Sequence, residues 1–162
     1  MSRKHDRRPW DSGGLFTFFT QRLDPEIRMS VLRAVADPDI PLIAHVYWNC
    51  DGDCCPLVLA AIAATHEEAR LSLPVLRSLA YTITMGDIAK ALGITILKVK
   101  QLAKIWDGWL PETRIMFRTA IGAYAQVTQQ NGEPPTPENV SYLIGEIEDA
   151  HSPVITSTLV SA

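Results

Sequence analysis

The chain has little cysteine, and what it has is bunched. Cys50, Cys54 and Cys55 all fall in the run WNCDGDCCP. An odd, clustered set is not a secreted disulfide framework. Long apolar runs are also missing. The longest, residues 40–48 and 57–64, are separated by Asp51-Gly52-Asp53, and each falls well short of the roughly 20 residues a membrane-spanning helix needs. The N-terminus is polar and lacks the apolar stretch of a secretory signal. A cytoplasmic protein without a membrane partner is therefore expected. There is no glycine-rich phosphate loop, no nucleophile elbow and no HExxH, so neither an enzyme nor a cofactor is expected. Positive charge is in short supply as well. The formal net charge is −3, whereas a chain that lives on nucleic acid usually carries a basic excess. Any contact with DNA must come from a local basic patch.

What is present suits a folded domain. The chain has 162 residues, of which 47% are hydrophobic and 20% charged, enough for one core without disulfide or metal staples. Charge is distributed unevenly. Arg3, Lys4, Arg7 and Arg8 make the start basic, Glu138, Glu146, Glu148 and Asp149 make the end acidic, and Lys90, Lys98, Lys100 and Lys104 crowd the middle. Residues 1–14 read as a flexible basic arm, 15–150 as a single helical domain, and 151–162 as a C-terminal tail.

The fold class expected is all-α: a compact multi-helix bundle, with an irregular helical repeat as its variant. After Phe16, Phe18 and Phe19, Asp24-Pro25-Glu26 combines a cap, a first-position proline and a first-turn acid. The helix it starts runs to about Ala36, with Ile27, Val31, Leu32 and Val35 on one face. Residues 41–48 are apolar all round and read as a buried helix or a strand, with His45 as a hydrogen-bonded core residue. Residues 56–65 read as a buried helix. Thr65-His66-Glu67-Glu68 has capping-box spacing, so either a new helix starts there or the preceding one continues to Leu71, and Pro74 opens or kinks the helix carrying Val75, Leu76, Leu79 and Ala80. Pro111-Glu112 starts a long helix that Asn131-Gly132 stops, and Thr136-Pro137 starts a last one, with Val140, Leu143, Ile144 and Ile147 inward. Glu26-x-Arg28, Glu68-x-Arg70 and Glu112-x-Arg114 recur at spacings of 42 and 44 residues. The segment DPEIRMSVLRAVA is similar to a helix of the HEAT type of repeat, although acid and base one turn apart also mark any solvated helix face.

The segment TMGDIAKALGITILKVKQLAKIW carries the sharpest pattern. Thr84 and Asp87 have capping-box spacing, Ile88 and Leu92 are apolar, and Ala89 is small where two helices approach. Gly93 falls at the turn, Thr95 can cap a second helix, and Val99 and Leu102 give that helix a buried face. This stretch, residues 84–104, resembles the helix-turn-helix of bacterial and phage DNA-binding regulators. The resemblance implies that the second helix enters the major groove of DNA, N-terminal residues first, and that the protein is a homodimer reading paired half-sites. The residues it assigns to DNA are Thr95, Ile96, Lys98, Lys100, Gln101 and Lys104, with Arg3, Lys4, Arg7 and Arg8 of the arm. Gln101 suits adenine, and the lysines suit guanine or phosphate.

Ile96 and Leu97 depart from that pattern, because regulators usually place polar groups there. An adjacent apolar pair at the tip also fits burial against protein. That supports a second reading, a non-enzymatic helical scaffold or adaptor with the bihelical unit as a packing device. Trp106 and Trp109 allow two roles, an exposed patch for a protein partner or a plug in the joint before Pro111. A third reading takes Cys50, Cys54 and Cys55, near His45 and His66, as a thiol-ligated metal or redox sensor. The spacing opposes it: structural zinc prefers two clean pairs, Cys54 and Cys55 are adjacent, and Asp51 and Asp53 disfavour thiolate. No bound metal is expected.

Overall fold

The computed structural model describes residues 9–66, 72–136, 138–142 and 144. Its chain path follows the punctuation of the sequence. Pro9–Gly14 makes a tight helical stretch broken at Ser12 and Gly13, α1 (Leu15–Thr17) follows, and Phe18–Arg22 forms a wider turn. Asp24 then caps α2 (Pro25–Ala36), its carboxylate accepting the Glu26 N–H at 3.0 Å. Next come α3 (Pro56–Thr65), α4 (Leu73–Ala80), α5 (Met85–Leu92), α6 (Ile96–Gly108) and α7 (Pro111–Asn131). Gly132 ends α7 in the left-handed region, at φ 74°. The residues described beyond it begin another helix, and Thr136 receives the Asn139 N–H at 3.2 Å as its cap. Among the described residues there is no strand, only two isolated bridges joining Cys54 to Leu42 and to Trp48. The all-α bundle expected from the sequence is the fold.

α3 sits at the centre. Residues 56–63 are all buried, and α2, α4, α5 and α6 pack around them. A helix that is apolar on every side has no face to give to water, so PLVLAAIA can only be a core element. α7 covers α2, and the two approach closely where Gly122 leaves room for Ala36. A chain of aromatic rings ties the N-terminal segment to the far end. Trp10 lies edge-on to Phe16 at 4.6 Å and Phe16 to Tyr124 at 5.9 Å. Phe19 and both Trp106 and Trp109 meet Phe117 at 5.9, 6.0 and 5.2 Å.

Four expectations are corrected. The packed part begins before residue 15: Trp10 is buried against Phe16, and residues 1–8 of the expected arm lie outside the described residues. Residues 41–48 form neither a buried helix nor a regular strand. They make an irregular loop in which Val46 and Trp48 are exposed, because Trp48 finds a partner at the surface, edge-on to Tyr81 at 5.1 Å. His45 is not a core residue but exposed, with a left-handed φ of 77°. Thr65 does not open a helix. It is the last residue of α3, and its hydroxyl donates back to the Ala61 carbonyl at 2.9 Å.

The Glu-x-Arg recurrence has a use beyond a solvated face. Arg28 donates to the Leu23 carbonyl at 2.7 Å, and Arg114 donates to the Trp106 and Asp107 carbonyls at 2.9 Å each. In α2 and α7 alike, an arginine in the first turn pins the segment that leads in. The third copy, at Glu68, and the side chains of Leu143 and Ile147 lie outside the described residues, as does the tail.

Candidate nucleic-acid interface

The helix pair α5–α6 is built by three local devices. Thr84 and Asp87 close a reciprocal capping box: the Asp87 N–H donates to Thr84 Oγ1 at 3.1 Å and the Thr84 N–H to Asp87 Oδ2 at 2.9 Å. Those bonds, the backbone one foremost, hold the Asp87 carboxyl below the usual carboxylate range. Gly93 takes φ 69° and ψ 35° at the turn, and the Ile94 N–H reaches back to the Ala89 carbonyl at 2.9 Å. Thr95 caps α6, its hydroxyl receiving the Lys98 N–H at 3.1 Å. Each device satisfies donors or acceptors that a helix end leaves open.

Packing then fixes the orientation of α6. Val99, Leu102 and Trp106 are fully buried, each worth about 1.5–3 kcal/mol on burial. Ile88, Ala89 and Leu92 of α5 are buried too. The indole Nε1–H of Trp106 donates to the Ile43 carbonyl at 2.8 Å, and the Arg114 guanidinium lies over its ring at 5.6 Å. Trp106 and Trp109 therefore plug the joint between α6 and α7, the second of their two expected roles.

With that face inward, the opposite face is exposed. Thr95, Ile96, Lys98, Lys100, Gln101 and Lys104 are all exposed, as is Leu97. Leu97, Gln101 and Lys104 fall at i, i+4 and i+7, a single ridge. Ile96 is 46% and Leu97 65% accessible, so of the two burials the adaptor reading allows, within the chain or at a subunit contact, the first does not occur among the described residues. Arg3, Lys4, Arg7 and Arg8 lie outside the described residues.

The loop before α3 flanks this face, a neighbour the sequence pattern did not reveal. The His45 N–H donates to Asp107 Oδ1 at 2.7 Å, across 62 residues. Between residues 45–47 and α6 lies a cleft of about 260 Å³ that Lys100, Lys104 and Asp107 line on the helix side. A positive φ at a non-glycine residue was the missed signal, and it is invisible in sequence because histidine carries no mark of it.

The three thiols differ in their surroundings. Cys54 and Cys55 are buried and Cys50 is exposed. Burial pushes the Cys54 thiol up to about 12, with Cys55 and Asp53 adding to it, and burial pushes Cys55 up to about 11. A thiol held that high is a poor nucleophile. Of the flanking aspartates expected to suppress thiolate, Asp53 contributes at Cys54, behind desolvation and Cys55. The His66 Nδ1–H donates to the Ile62 carbonyl at 3.0 Å. Among the described residues no three His, Cys, Asp or Glu side chains are placed to hold a metal ion, and no helix is long and apolar enough to cross a membrane.

Comparison with models of protein families, with curated proteins and with solved structures gave no match.

Proposed function

We propose that this chain is a sequence-specific DNA-binding regulatory protein that reads the major groove with α6 and acts as a homodimer. The observation that carries the reading is the exposure of Ile96 and Leu97 beside Lys98, Lys100, Gln101 and Lys104 on a helix whose other face is locked in the core. A recognition helix must be held rigidly and present its N-terminal turns freely. Two caps and three buried anchors supply the rigidity. An apolar side chain at the tip can meet a thymine methyl, Gln101 can pair with adenine, and three lysines can contact phosphate. The net charge of −3 places the work of attraction on this local patch rather than on the whole molecule.

The test is binding of fragmented genomic DNA by purified protein at low and moderate salt. Binding is expected, with log K falling against log salt at a slope of about −3 for each recognition helix if the three lysines each neutralise one phosphate. Replacing Lys100 and Gln101 together by alanine should abolish sequence preference. Absence of binding even at low salt overturns the proposal.

The same exposed Ile96-Leu97 pair supports one other reading, an adaptor that buries it at a contact between subunits. Sedimentation of Leu97→Asp separates the two. The adaptor reading expects the oligomer to dissociate, and the DNA reading expects the oligomer to persist while DNA binding fails.

A further inference from the structure

The cleft beside α6 has features that a packing gap does not need. Its loop is fastened at several points: the Trp106 indole holds the Ile43 carbonyl at 2.8 Å, the Cys55 N–H holds the Tyr47 carbonyl at 2.9 Å, and the Ile43 N–H donates to the Cys54 carbonyl at 3.1 Å. Between those ties His45 is kept at φ 77° by its bond to Asp107. Such a conformation costs a non-glycine residue about 1–3 kcal/mol and persists only where the surroundings over-determine it, commonly at ligand sites. The cleft is thus preformed rather than a gap in a loose loop.

Its lining combines two chemistries. Lys100 and Lys104 stand one turn apart on α6 and Asp107 one further turn on. With His45, Tyr47 and Cys55 of the lining uncharged, two cations against one carboxylate leave a single positive charge. Val46 and Ala103 supply apolar wall. At about 260 Å³ the space lies just below the usual range of about 300–1,000 Å³ for ligand pockets. A compact molecule with one negative charge and an apolar body fits that combination. A phosphate dianion carries twice the charge and offers nothing to Val46 and Ala103.

We propose that the cleft between residues 45–47 and α6 binds a small organic monocarboxylate, and that its occupancy opposes DNA binding. The first half stands on the cleft alone, and the second half rests on the reading of α6 as a recognition helix. The carboxylate takes Lys100 and Lys104, two of the lysines that the DNA reading gives to phosphate. Ligand and DNA thus compete for the same charges, and the weakening is reciprocal.

The experiment uses sodium benzoate as the probe, with benzyl alcohol as its neutral counterpart and inorganic phosphate as the anion without an apolar body. Amide ¹H–¹⁵N spectra of the full chain are recorded through a millimolar titration of each. Benzoate is expected to give saturable shifts at residues 45–47 and 100–107, and the other two are expected not to. Lys100→Met with Lys104→Met, which keeps the apolar stems, should remove the response. Ala103→Phe, which fills the cleft without touching its charge, should remove it too. A thermal melt confirms that both variants fold.

No saturable benzoate shift in these segments overturns the site. An equal response to benzyl alcohol or to phosphate overturns the ligand class. On DNA, saturating benzoate should weaken binding about tenfold, within the usual range of site coupling, and unchanged affinity overturns the antagonism. A protein that binds benzoate but no DNA keeps the site and loses the recognition-helix reading. One that binds DNA but not benzoate does the reverse.

Discussion

Two glycines with nearly the same backbone angle are held for different reasons. Gly93 has φ 69° and nothing within 4 Å of where a Cβ would stand. Gly52 has φ 82°, and a Cβ there would meet Arg77 Cβ at 2.7 Å and the Arg77 carbonyl oxygen at 2.8 Å. Gly93→Ala should therefore cost only the left-handed penalty, about 1–2 kcal/mol. Gly52→Ala adds overpacking against another backbone and should cost about 2–4 kcal/mol in all. Urea unfolding of both variants measures the gap, and equal losses would remove the packing role given to Gly52. The turn around Gly52 is held further by Arg77, whose Nε meets Asp53 Oδ1 at 3.1 Å, and by the Tyr81 hydroxyl donating to the Cys50 carbonyl. This corner gives Asp53 a partner in Arg77.

At the scale of one element, α6 separates a buried face from an exposed one. Leu97 and Leu102 are five residues apart and chemically identical, yet Leu102 is fully buried and Leu97 is 65% accessible. Leu102→Ala should cost about 2–5 kcal/mol, as core truncations do. Leu97→Ala should stay within about 0.5 kcal/mol and, on the proposed function, should weaken DNA binding. Denaturation midpoints beside DNA titrations check both. A large stability loss from Leu97→Ala in a monomeric protein would show that the tip packs against something within the chain. The cap at Thr95 and the turn at Gly93 were legible because the side chains that make them are local in sequence. The loop over the flank of α6 was not, because its ties run from Ile43 to Trp106 and from His45 to Asp107.

Across the whole molecule, Arg118 is the tie that composition could not reveal. From α7 its guanidinium donates to the carbonyls of Val35 at 2.8 Å, Asp37 and Ile40 at 2.7 Å. Burial lowers its pKa, with Asp37 opposing the shift. Those carbonyls belong to the end of α2 and the turn beyond it, so one side chain supplies the donors that the helix end lacks. Arg118→Met keeps the apolar stem and removes the donors. It should destabilise by about 1–3 kcal/mol through buried carbonyls left unpaired, and amide exchange should rise first at residues 37–43. Uniform exchange through the α2 end would indicate that water replaces the guanidinium freely.

The sequence by itself determined the helix ends whose caps and stops are local. Asp24-Pro25, Thr84 with Asp87, Gly93, Thr95 and Gly132 each act within four residues, so the chemistry of a cap or a stop is written next to the helix it serves. It also determined that residues 56–63 go inside, since an all-apolar helix has no alternative. Whether Ile96 and Leu97 face protein or solvent was left open, and so was the placement of residues 41–48. Only the tertiary structure decided those within one chain, because an apolar residue is buried by what lies opposite it. Val99, Leu102 and Trp106 claimed the inward face of α6 and left the apolar tip outside. Trp48 found Tyr81 at the surface, and Asp107 reached across 62 residues to hold His45.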